Sequence, residues 1–278
     1  MKMFAQWKSE WPSVLLALAA LLIFVLPQTA LAQQDDPKAR AIMRKVIDRD
    51  EGKSMISSME MVLIDKRKNK RVRKLKNYRL EKGKDTLSLA FFLSPADVKG
   101  TGFLTYDYDA EGKDDDQWLF LPALRKTKRI ASSDKSGSFM GSDFNYSDMT
   151  SPDLSDFVYK LVKEVDVDGK KTWQIETTPR DEKIAEESGY SKSVSWIRQD
   201  NHVMIRGIRW VYKSRRVKYF QIKALEQIKG IWVASQMQMV TREGKDTIHA
   251  TLLTQSDIEI NPKISEGFFT VRQLEKGL

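Results

Sequence analysis

Most of the chain beyond residue 50 alternates polar and apolar side chains with a period of two. Such alternation is typical of β-strands that bury one face, especially where turn-forming residues separate the runs. The pattern therefore predicts a largely antiparallel β protein of ten or so strands. The strand candidates are 58–64, 77–80, 86–93, 118–121, 171–177, 193–198, 203–212, 216–226, 231–241 and 247–258.

Three short polar segments separate neighbouring strand candidates. They are Asp200-Asn201, Lys229-Gly230 and Glu243-Gly244-Lys245. Residues of these types accept the backbone conformations that tight hairpins require. Strands that are neighbours in sequence are therefore expected to be neighbours in the sheet, as in a meander.

Two segments have apolar residues at helical spacing. In 37–51 the apolar residues recur among Arg, Lys and Asp, which predicts an amphipathic helix. In 151–161, Ser151 is placed as the N-cap and Pro152 as the first helical residue, followed by apolar residues at helical spacing. Two helices are too few for a doubly wound fold.

One face of the predicted sheet is apolar, as the alternation Gln236-Met237-Gln238-Met239 illustrates. An apolar sheet face must be covered. The two helices and the irregular stretch 129–151 are the segments available for this. Either they cover a ligand cavity or the sheet closes on itself as a barrel.

The start of the chain has the layout of a secretory signal peptide. Lys2 and Lys8 precede an apolar run of about 13 residues, which is shorter than the roughly 20 of a spanning helix, and the triplet Ala30-Leu31-Ala32 follows. We expect cleavage after residue 32, which leaves a single domain at 33–278; an uncleaved anchor is the alternative. Because no cysteine follows the apolar run, we do not expect the protein to be N-terminally acylated as a lipoprotein.

The chain contains no cysteine and has a formal net charge of +9. Without disulfides, an exported protein depends on its hydrophobic core for stability. A basic exported protein tends to meet anionic membrane surfaces or acidic ligands, and export excludes nucleic acid as the expected partner. The excess charge could instead serve only solubility.

The sequence offers little for catalysis. Its two histidines, His202 and His249, are far apart, and without cysteine no zinc or thiol motif can be assembled. The segment Gly137-Ser138-Phe139-Met140-Gly141 is not a nucleophile elbow, because its serine is one position early. We therefore expect a protein that is not an enzyme, with no cofactor, no metal and no catalytic residue.

An acidic run at 107–116 matches the first half of a calcium loop. The twelfth position of that loop would be Trp118 instead of a bidentate glutamate. We interpret the run as a solvated hairpin tip, and the sequence leaves calcium binding open.

The irregular segment from Ser132 to Asp148 carries four large side chains among Ser, Gly and Asp. Long irregular segments in compact domains are commonly functional. Two interpretations stay open: a mobile flap over an apolar cavity, or a loop held in place by its aromatic residues. The four residues are Phe139, Met140, Phe144 and Tyr146.

Two groups of basic residues are candidates for docking on a membrane or a partner protein. The alternative is that they are only the solvated face of a strand. The first group is Arg125, Lys126, Lys128 and Arg129. The second group is Lys213, Arg215, Arg216 and Lys218.

Four segments together resemble the exported outer-membrane lipoprotein-sorting proteins of the LolA-like superfamily, and the similarity covers the whole chain after the leader. The more specific pieces are QWLFLPALRK at 117–126 and GSFMGSDF at 137–144. The others are PADVKGT at 95–101 and FFTVRQL at 268–274.

The resemblance implies a mainly β (α+β) fold: a strongly curved antiparallel sheet, or incomplete β-barrel, whose apolar cavity is covered by a few helices and a loop. It also implies a periplasmic carrier in a Gram-negative bacterium. Such a carrier holds acyl chains of a lipid or lipoprotein and moves them from an inner-membrane transporter, of the efflux type or another, to the outer membrane.

Within that fold we expect the four aromatic and methionine residues of 132–148 to form the flap. The main alternative function is a periplasmic adaptor or assembly factor of a transporter that binds no lipid. The candidate wall of the cavity comprises Trp118, Phe120, Trp210, Trp232, Met237 and Met239.

Overall fold

Thirteen antiparallel strands form one curved sheet in the computed structural model, which describes residues 35–278. The predicted signal peptide lies outside the described residues. The strands are β1 (Ser54–Asp65), β2 (Lys70–Lys82), β3 (Asp85–Ser94), β4 (Gly102–Asp107), β5 (Asp116–Leu121), β6 (Lys126–Arg129), β7 (Phe157–Val167), β8 (Lys170–Pro179), β9 (Tyr190–Arg198), β10 (Met204–Val211), β11 (Arg216–Ile228), β12 (Ile231–Glu243) and β13 (Asp246–Ile260).

The sheet consists of two meanders that meet in the middle. Its strand order is β6-β5-β4-β3-β2-β1-β13-β12-β11-β10-β9-β8-β7. Strands β1 and β13 pair although nearly the whole domain separates them in sequence. Because β6 and β7 are the two edges, the sheet does not close into a barrel. The prediction of a mainly β fold with an incomplete barrel is confirmed, as are the three predicted hairpin turns.

The predicted helix at 151–161 is wrong. The structure has a single 3₁₀ turn at Leu154–Asp156, and strand β7 begins immediately after it. Val158 and Tyr159 are both buried, so β7 has apolar side chains on both faces and the period of two is hidden. The segment forms a strand because it pairs along β8, with Leu161 opposite Ile175.

Strands β4 and β6 were not predicted either. In β4 the residues from Gly102 to Thr105 are all buried, so no polar alternation marks the strand. Strand β6 has only four residues, three of them basic. Short edge strands with charged side chains carry little hydrophobic signal.

Three α-helices accompany the sheet: α1 (Pro37–Ile47), α2 (Glu182–Ser188) and α3 (Val271–Lys276). The predicted helix at 37–51 is confirmed as α1, which ends four residues earlier. Asp36 caps α1 by accepting hydrogen bonds from the backbone of Lys38 and Ala39. Helices α2 and α3 have seven and six residues, too short for a clear helical period. No helix among residues 35–278 has the length and apolar character needed to cross a bilayer.

The register across the strands assigns side chains to two faces. Directly paired residues Met239, Phe220, Gly207, Ser195 and Ile175 form one row. Since paired residues point to the same side of a sheet, this row defines the inner face. The irregular segment 132–148 packs at the Met239 end of it, and α1 packs at the Ile175 end.

The outer face of β2–β5 is covered by the C-terminal segment. Leu89, Phe91 and Leu104 pack there against Phe269 and Leu274, and Leu274 belongs to α3. Two separate hydrophobic cores therefore lie on the two sides of this half of the sheet.

Helix α3 approaches the sheet closely at Gly102. A Cβ atom at this position would lie 2.5 Å from Cδ1 and 3.3 Å from the carbonyl oxygen of Leu274. We expect Gly102→Ala to lower the free energy of unfolding by about 1–3 kcal/mol, because overpacking forces neighbouring atoms to shift. Urea denaturation measures the effect.

Gly207→Ala is the matched control for Gly102→Ala. Gly207 also lies within a strand, but the nearest atom to its added Cβ would be 3.6 Å away, at ordinary contact distance. Equal losses of stability in the two variants would show that the approach of α3 is not tight.

Candidate functional site

The segment 132–148, called the flap below, folds back on itself over the inner face. The backbone N–H of Phe139 donates to the carbonyl of Phe144 at 2.7 Å, and Met140 and Gly141 form the tip with φ angles of 50° and 72°. Successive positive φ angles are those of a tight type I′ turn, which Gly141 accommodates without strain.

All four predicted flap residues take part in one apolar cluster, Met140 from the turn itself. Phe139 and Phe144 are buried, with 5% and 7% of their surface exposed. The Phe139 ring lies 5.0 Å from the ring of Phe103 in β4 and 5.7 Å from the ring of Tyr146. The flap is therefore packed down onto the sheet by its aromatic side chains.

The apolar surface under the flap is rich in methionine. Met59, Met61, Met237 and Met239 come from the strands, while Met140 and Met149 come from the flap and the residue after it. Methionine is unbranched and adapts to irregular shapes. The other members of this cluster are Leu63, Leu75, Phe92, Val98, Phe103, Leu119, Leu121, Ile130, Phe139, Phe144, Tyr146, Phe220 and Leu253.

Asp143 anchors the flap to β12 and β13. Its carboxylate accepts hydrogen bonds from the hydroxyls of Thr241 at 2.5 Å and Thr251 at 2.6 Å, and lies 2.7 Å from Nδ1 of His249. Its backbone N–H donates to Oγ1 of Thr251 at 2.9 Å. Asp143 is 4% exposed, so these contacts replace its hydration.

A second anchor joins the flap to β9–β11. The Asp148 carboxylate forms an ion pair with Arg209 and accepts a hydrogen bond from the hydroxyl of Tyr190 at 2.8 Å. Beside it, the Lys218 ammonium donates to Oδ1 of Asn145 at 2.6 Å. In addition, Arg73 in β2 donates to the carbonyl of Met140 at the tip.

Burial shifts the pKa values of two residues in this second anchor, Lys218 and Tyr190. Loss of hydration lowers the pKa of the Lys218 ammonium, although the nearby Asp148 and Asp143 carboxylates oppose that shift. Burial, assisted by the Asp148 charge, raises the pKa of the Tyr190 hydroxyl well above its usual value. Tyr190 is therefore a neutral donor to Asp148.

The six predicted wall residues do not come together. Met237 and Met239 lie beneath the flap. Trp118 and Phe120 lie on the outer face, in the cluster that α3 covers. The alternation along β5 explains this, because Leu119 and Leu121 are the residues of that strand that face the flap.

Trp210 and Trp232 also lie apart from the two methionines. Trp210 follows Arg209 directly, so it points to the opposite face, where the ammonium of Lys192 lies 4.7 Å from its ring centroid. Trp232 is near the start of β12, with the guanidinium of Arg198 5.2 Å from its ring centroid.

Two cavities border the flap. One, of about 440 Å³, opens between the flap and strands β5 and β6, where Leu119, Ile130 and Tyr146 line it together with Lys128. The other, of about 760 Å³, lies between α1, α2 and the loop after β4 and is lined mainly by charged and polar side chains. Burial raises the pKa of Asp107 in this second cavity to about 6.

The first basic group lies on edge strand β6 and the turn before it. Arg125, Lys126, Lys128 and Arg129 are all exposed. Lys128 forms an ion pair with Asp134 at 2.9 Å and Arg129 with Asp116, whereas among residues 35–278 no ion pair involves Arg125 or Lys126. Leu124 beside them is 68% exposed.

For the second basic group, the interpretation as a solvated strand face is wrong at Lys218, which is 8% exposed beneath the flap. Sequence reasoning missed the flap's polar anchors, because Asp143, Asn145 and Asp148 look like ordinary loop residues. One sequence signal points to these anchors. Arg209 and Lys218, on two neighbouring strands, are basic residues on the face that is otherwise apolar.

The two histidines have separate surroundings. His202 lies beside Trp173, with ring centroids 5.6 Å apart, and His249 contacts Asp143.

In the acidic run 107–116, the Asp107 carboxylate accepts a hydrogen bond from the backbone N–H of Ser151 at 2.9 Å. Within residues 35–278, no three His, Cys, Asp or Glu side chains converge in a way that could hold a metal ion.

Residues 84–276 match a protein family that is described only as uncharacterized. No curated protein matches the chain in sequence. Among solved structures, a domain from Vibrio parahaemolyticus assigned to outer-membrane lipoprotein sorting is 30% identical, with a TM-score of 0.77; the match covers 86% of this chain and 98% of that one.

Two further structures have the same fold. A DUF1329 family protein from Desulfovibrio piger is 30% identical, with a TM-score of 0.76, and the match covers 85% of this chain and 98% of that one. A LolA superfamily protein from Nitrosomonas europaea is 16% identical, with a TM-score of 0.61, and the match covers 84% and 97%. The chain thus belongs to the family of the first two proteins, the DUF1329 and outer-membrane lipoprotein-sorting proteins, and shares the LolA-like fold.

Proposed function

We propose that this protein binds acyl chains of a lipid or an acylated protein on its inner face, in the space that the flap fills in the present structure. The observation that carries the proposal is the methionine-rich apolar cluster covered by a loop and not by regular structure. A relative described as a lipoprotein-sorting domain supports the same class of ligand.

Energetics favour an acyl chain as the replacement for the flap. Burial of about 15 methylene groups at roughly 0.8 kcal/mol each amounts to about 12 kcal/mol before the cost of displacing the flap. Phe139 and Phe144 would leave the cluster, and the acyl chain would take their place among its remaining members, which include Met237, Met239 and Leu253. Methionine side chains can repack around either occupant.

The cavity between the flap and β5 suggests where the ligand enters. It already opens on apolar side chains of both the flap and the sheet. An acyl chain that enters there would meet Leu119 and Tyr146 first, and could then separate the flap from the sheet progressively.

In the proposed cycle the protein is a periplasmic carrier and not an enzyme. It receives its cargo from an inner-membrane transporter and delivers it to the outer membrane. The predicted signal peptide and the relationship to lipoprotein-sorting proteins support this placement. The exposed Arg125 and Lys126 would contact the anionic membrane surface or the transporter, and Lys128 and Arg129 would extend the same basic edge.

Mass spectrometry of organic extracts tests the proposal. The protein is purified from the periplasm without detergent, beside a Phe139→Asp, Phe144→Asp variant. We expect stoichiometric lipid or acyl chain in the unchanged protein and at least tenfold less in the variant, because the displaced flap must cover the bound chain with apolar side chains and two carboxylates there would be buried without partners.

Val162→Asp is the control variant, since it introduces the same side chain at an exposed position of β7, away from the flap and from the basic edge. It should retain the lipid. Circular dichroism establishes that all three proteins are folded. Folded protein without any bound lipid would contradict the proposal and favour the transporter adaptor.

A further inference from the structure

Two cations lie side by side on the apolar inner face. Arg209 in β10 is directly opposite Lys218 in β11. Like charges in directly opposed positions of a sheet repel each other. Lys218 is 8% exposed, and the Arg209 side chain is 20% exposed. Such a pair is costly unless anions compensate it.

The flap supplies that compensation. Asp148 pairs with Arg209, and Asn145 accepts from Lys218. Asp148 and Asp143 are the carboxylates whose charges favour the protonated form of Lys218. When the flap lifts, both cations lose these partners while they remain beside the apolar face.

We propose that Arg209 and Lys218 bind the anionic headgroup of the ligand, and that Asp148 and Asn145 of the flap occupy this headgroup site when no ligand is bound. This inference rests on the proposed function. It names the class of cargo as an amphiphile that carries a phosphate or a similar oxyanion next to its acyl chains.

The geometry suits such a ligand. Phe220 lies two residues from Lys218 on the same face of β11 and is paired with Met239 in β12. Both residues belong to the apolar cluster. An acyl chain that runs along Met239 to Phe220 would place its headgroup beside Arg209 and Lys218. A guanidinium binds a phosphate in bidentate fashion, and the ammonium adds a point charge. The Tyr190 hydroxyl, which now donates to Asp148, is a third donor.

Calorimetric titration with matched amphiphiles tests the inference. The probes are dodecyl phosphate and dodecyl maltoside, which share a chain and differ in charge, and inorganic phosphate, which has no chain. We expect the unchanged protein to bind dodecyl phosphate at least tenfold more tightly than dodecyl maltoside. An Arg209→Gln, Lys218→Gln variant should lose that preference and still bind the maltoside.

Asp148→Asn gives the opposite expectation. This variant keeps both cations but removes the carboxylate that holds the flap, so affinity for both amphiphiles should rise and the preference for dodecyl phosphate should remain at least tenfold. Arg206→Gln, on the same strand with an exposed ion pair, should retain the normal preference.

The outcomes separate the inference from the proposed function. If the double glutamine variant keeps its preference for dodecyl phosphate, the inference is wrong and the proposed function stands. If Asp148→Asn binds inorganic phosphate as tightly as dodecyl phosphate, the site takes free anions and the inference is also wrong. If no variant binds either amphiphile, the proposed function itself fails.

Discussion

Replacement of Arg209 by alanine is expected to release the flap from the sheet. In the variant, Asp148 of a docked flap would be buried with its charge no longer paired to Arg209. Removal of one partner from a buried ion pair typically costs 3–5 kcal/mol. We therefore expect the docked flap to lose roughly that amount of stability relative to the lifted flap.

Hydrogen exchange measures this effect at one atom. The backbone N–H of Asp143 donates to the side chain of Thr251, so its protection depends on contact between flap and sheet. Since each 1.4 kcal/mol corresponds to a factor of ten, exchange at Asp143 should accelerate about 100-fold or more. Amides in β1 and β13 should exchange at nearly unchanged rates.

Arg206→Ala is the matched control on the same strand. Arg206 pairs with Asp168 in an exposed position, where ion pairs contribute about 0–1 kcal/mol. It should change exchange at Asp143 less than fivefold. If both variants behave alike, the flap is held by its aromatic residues alone and the polar anchors contribute little.

The fold was predictable from sequence because its main signal is periodic. In strands such as β12, polar and apolar residues alternate, so that Gln236 and Met237 lie on opposite faces. The sequence itself then indicates which face packs against the apolar cluster. The periodic signal is lost where both faces of a strand are buried, as at Val158 and Tyr159 in β7. There the apolar pattern of a strand cannot be distinguished from that of a helix.

The candidate site was predictable only in part. A run with Phe139 and Phe144 among glycine and serine indicates a loop with an apolar contact. Which strands it contacts depends on the pairing of β1 with β13, a long-range contact that no local pattern encodes. Trp118 was predicted to line the cavity, whereas the structure places it on the outer face, as alternation along β5 requires.

The polar anchors illustrate a further limit. Sequence alone cannot distinguish Lys218, which is buried, from Arg216, which is exposed, although both point to one face of β11. The difference arises because Asn145 reaches Lys218 and no flap residue reaches the end of the strand. Burial of a charge is therefore a property of the tertiary contact and not of the strand pattern.

A disulfide between flap and sheet is expected to abolish ligand uptake. Oγ1 of Thr251 lies 2.6 Å from the carboxylate and 2.9 Å from the backbone nitrogen of Asp143, so Asp143→Cys and Thr251→Cys place two thiols next to each other for oxidation. The natural chain has no cysteine, so this pair would be the only one to oxidise.

The oxidised variant should bind cis-parinaric acid, a fluorescent acyl chain, at least tenfold more weakly than its reduced form, because the apolar cluster becomes accessible only when the flap lifts. The same molecule is its own control, since a reducing agent restores the free flap without any change of sequence. Thr251→Cys alone, oxidised in the same way, accounts for the loss of the Thr251 hydroxyl. Equal binding by the oxidised and reduced forms, with the disulfide established by mass, would mean that the ligand does not enter beneath the flap. In that case the cavity bordered by Leu119 and Ile130 would have to hold it without flap movement.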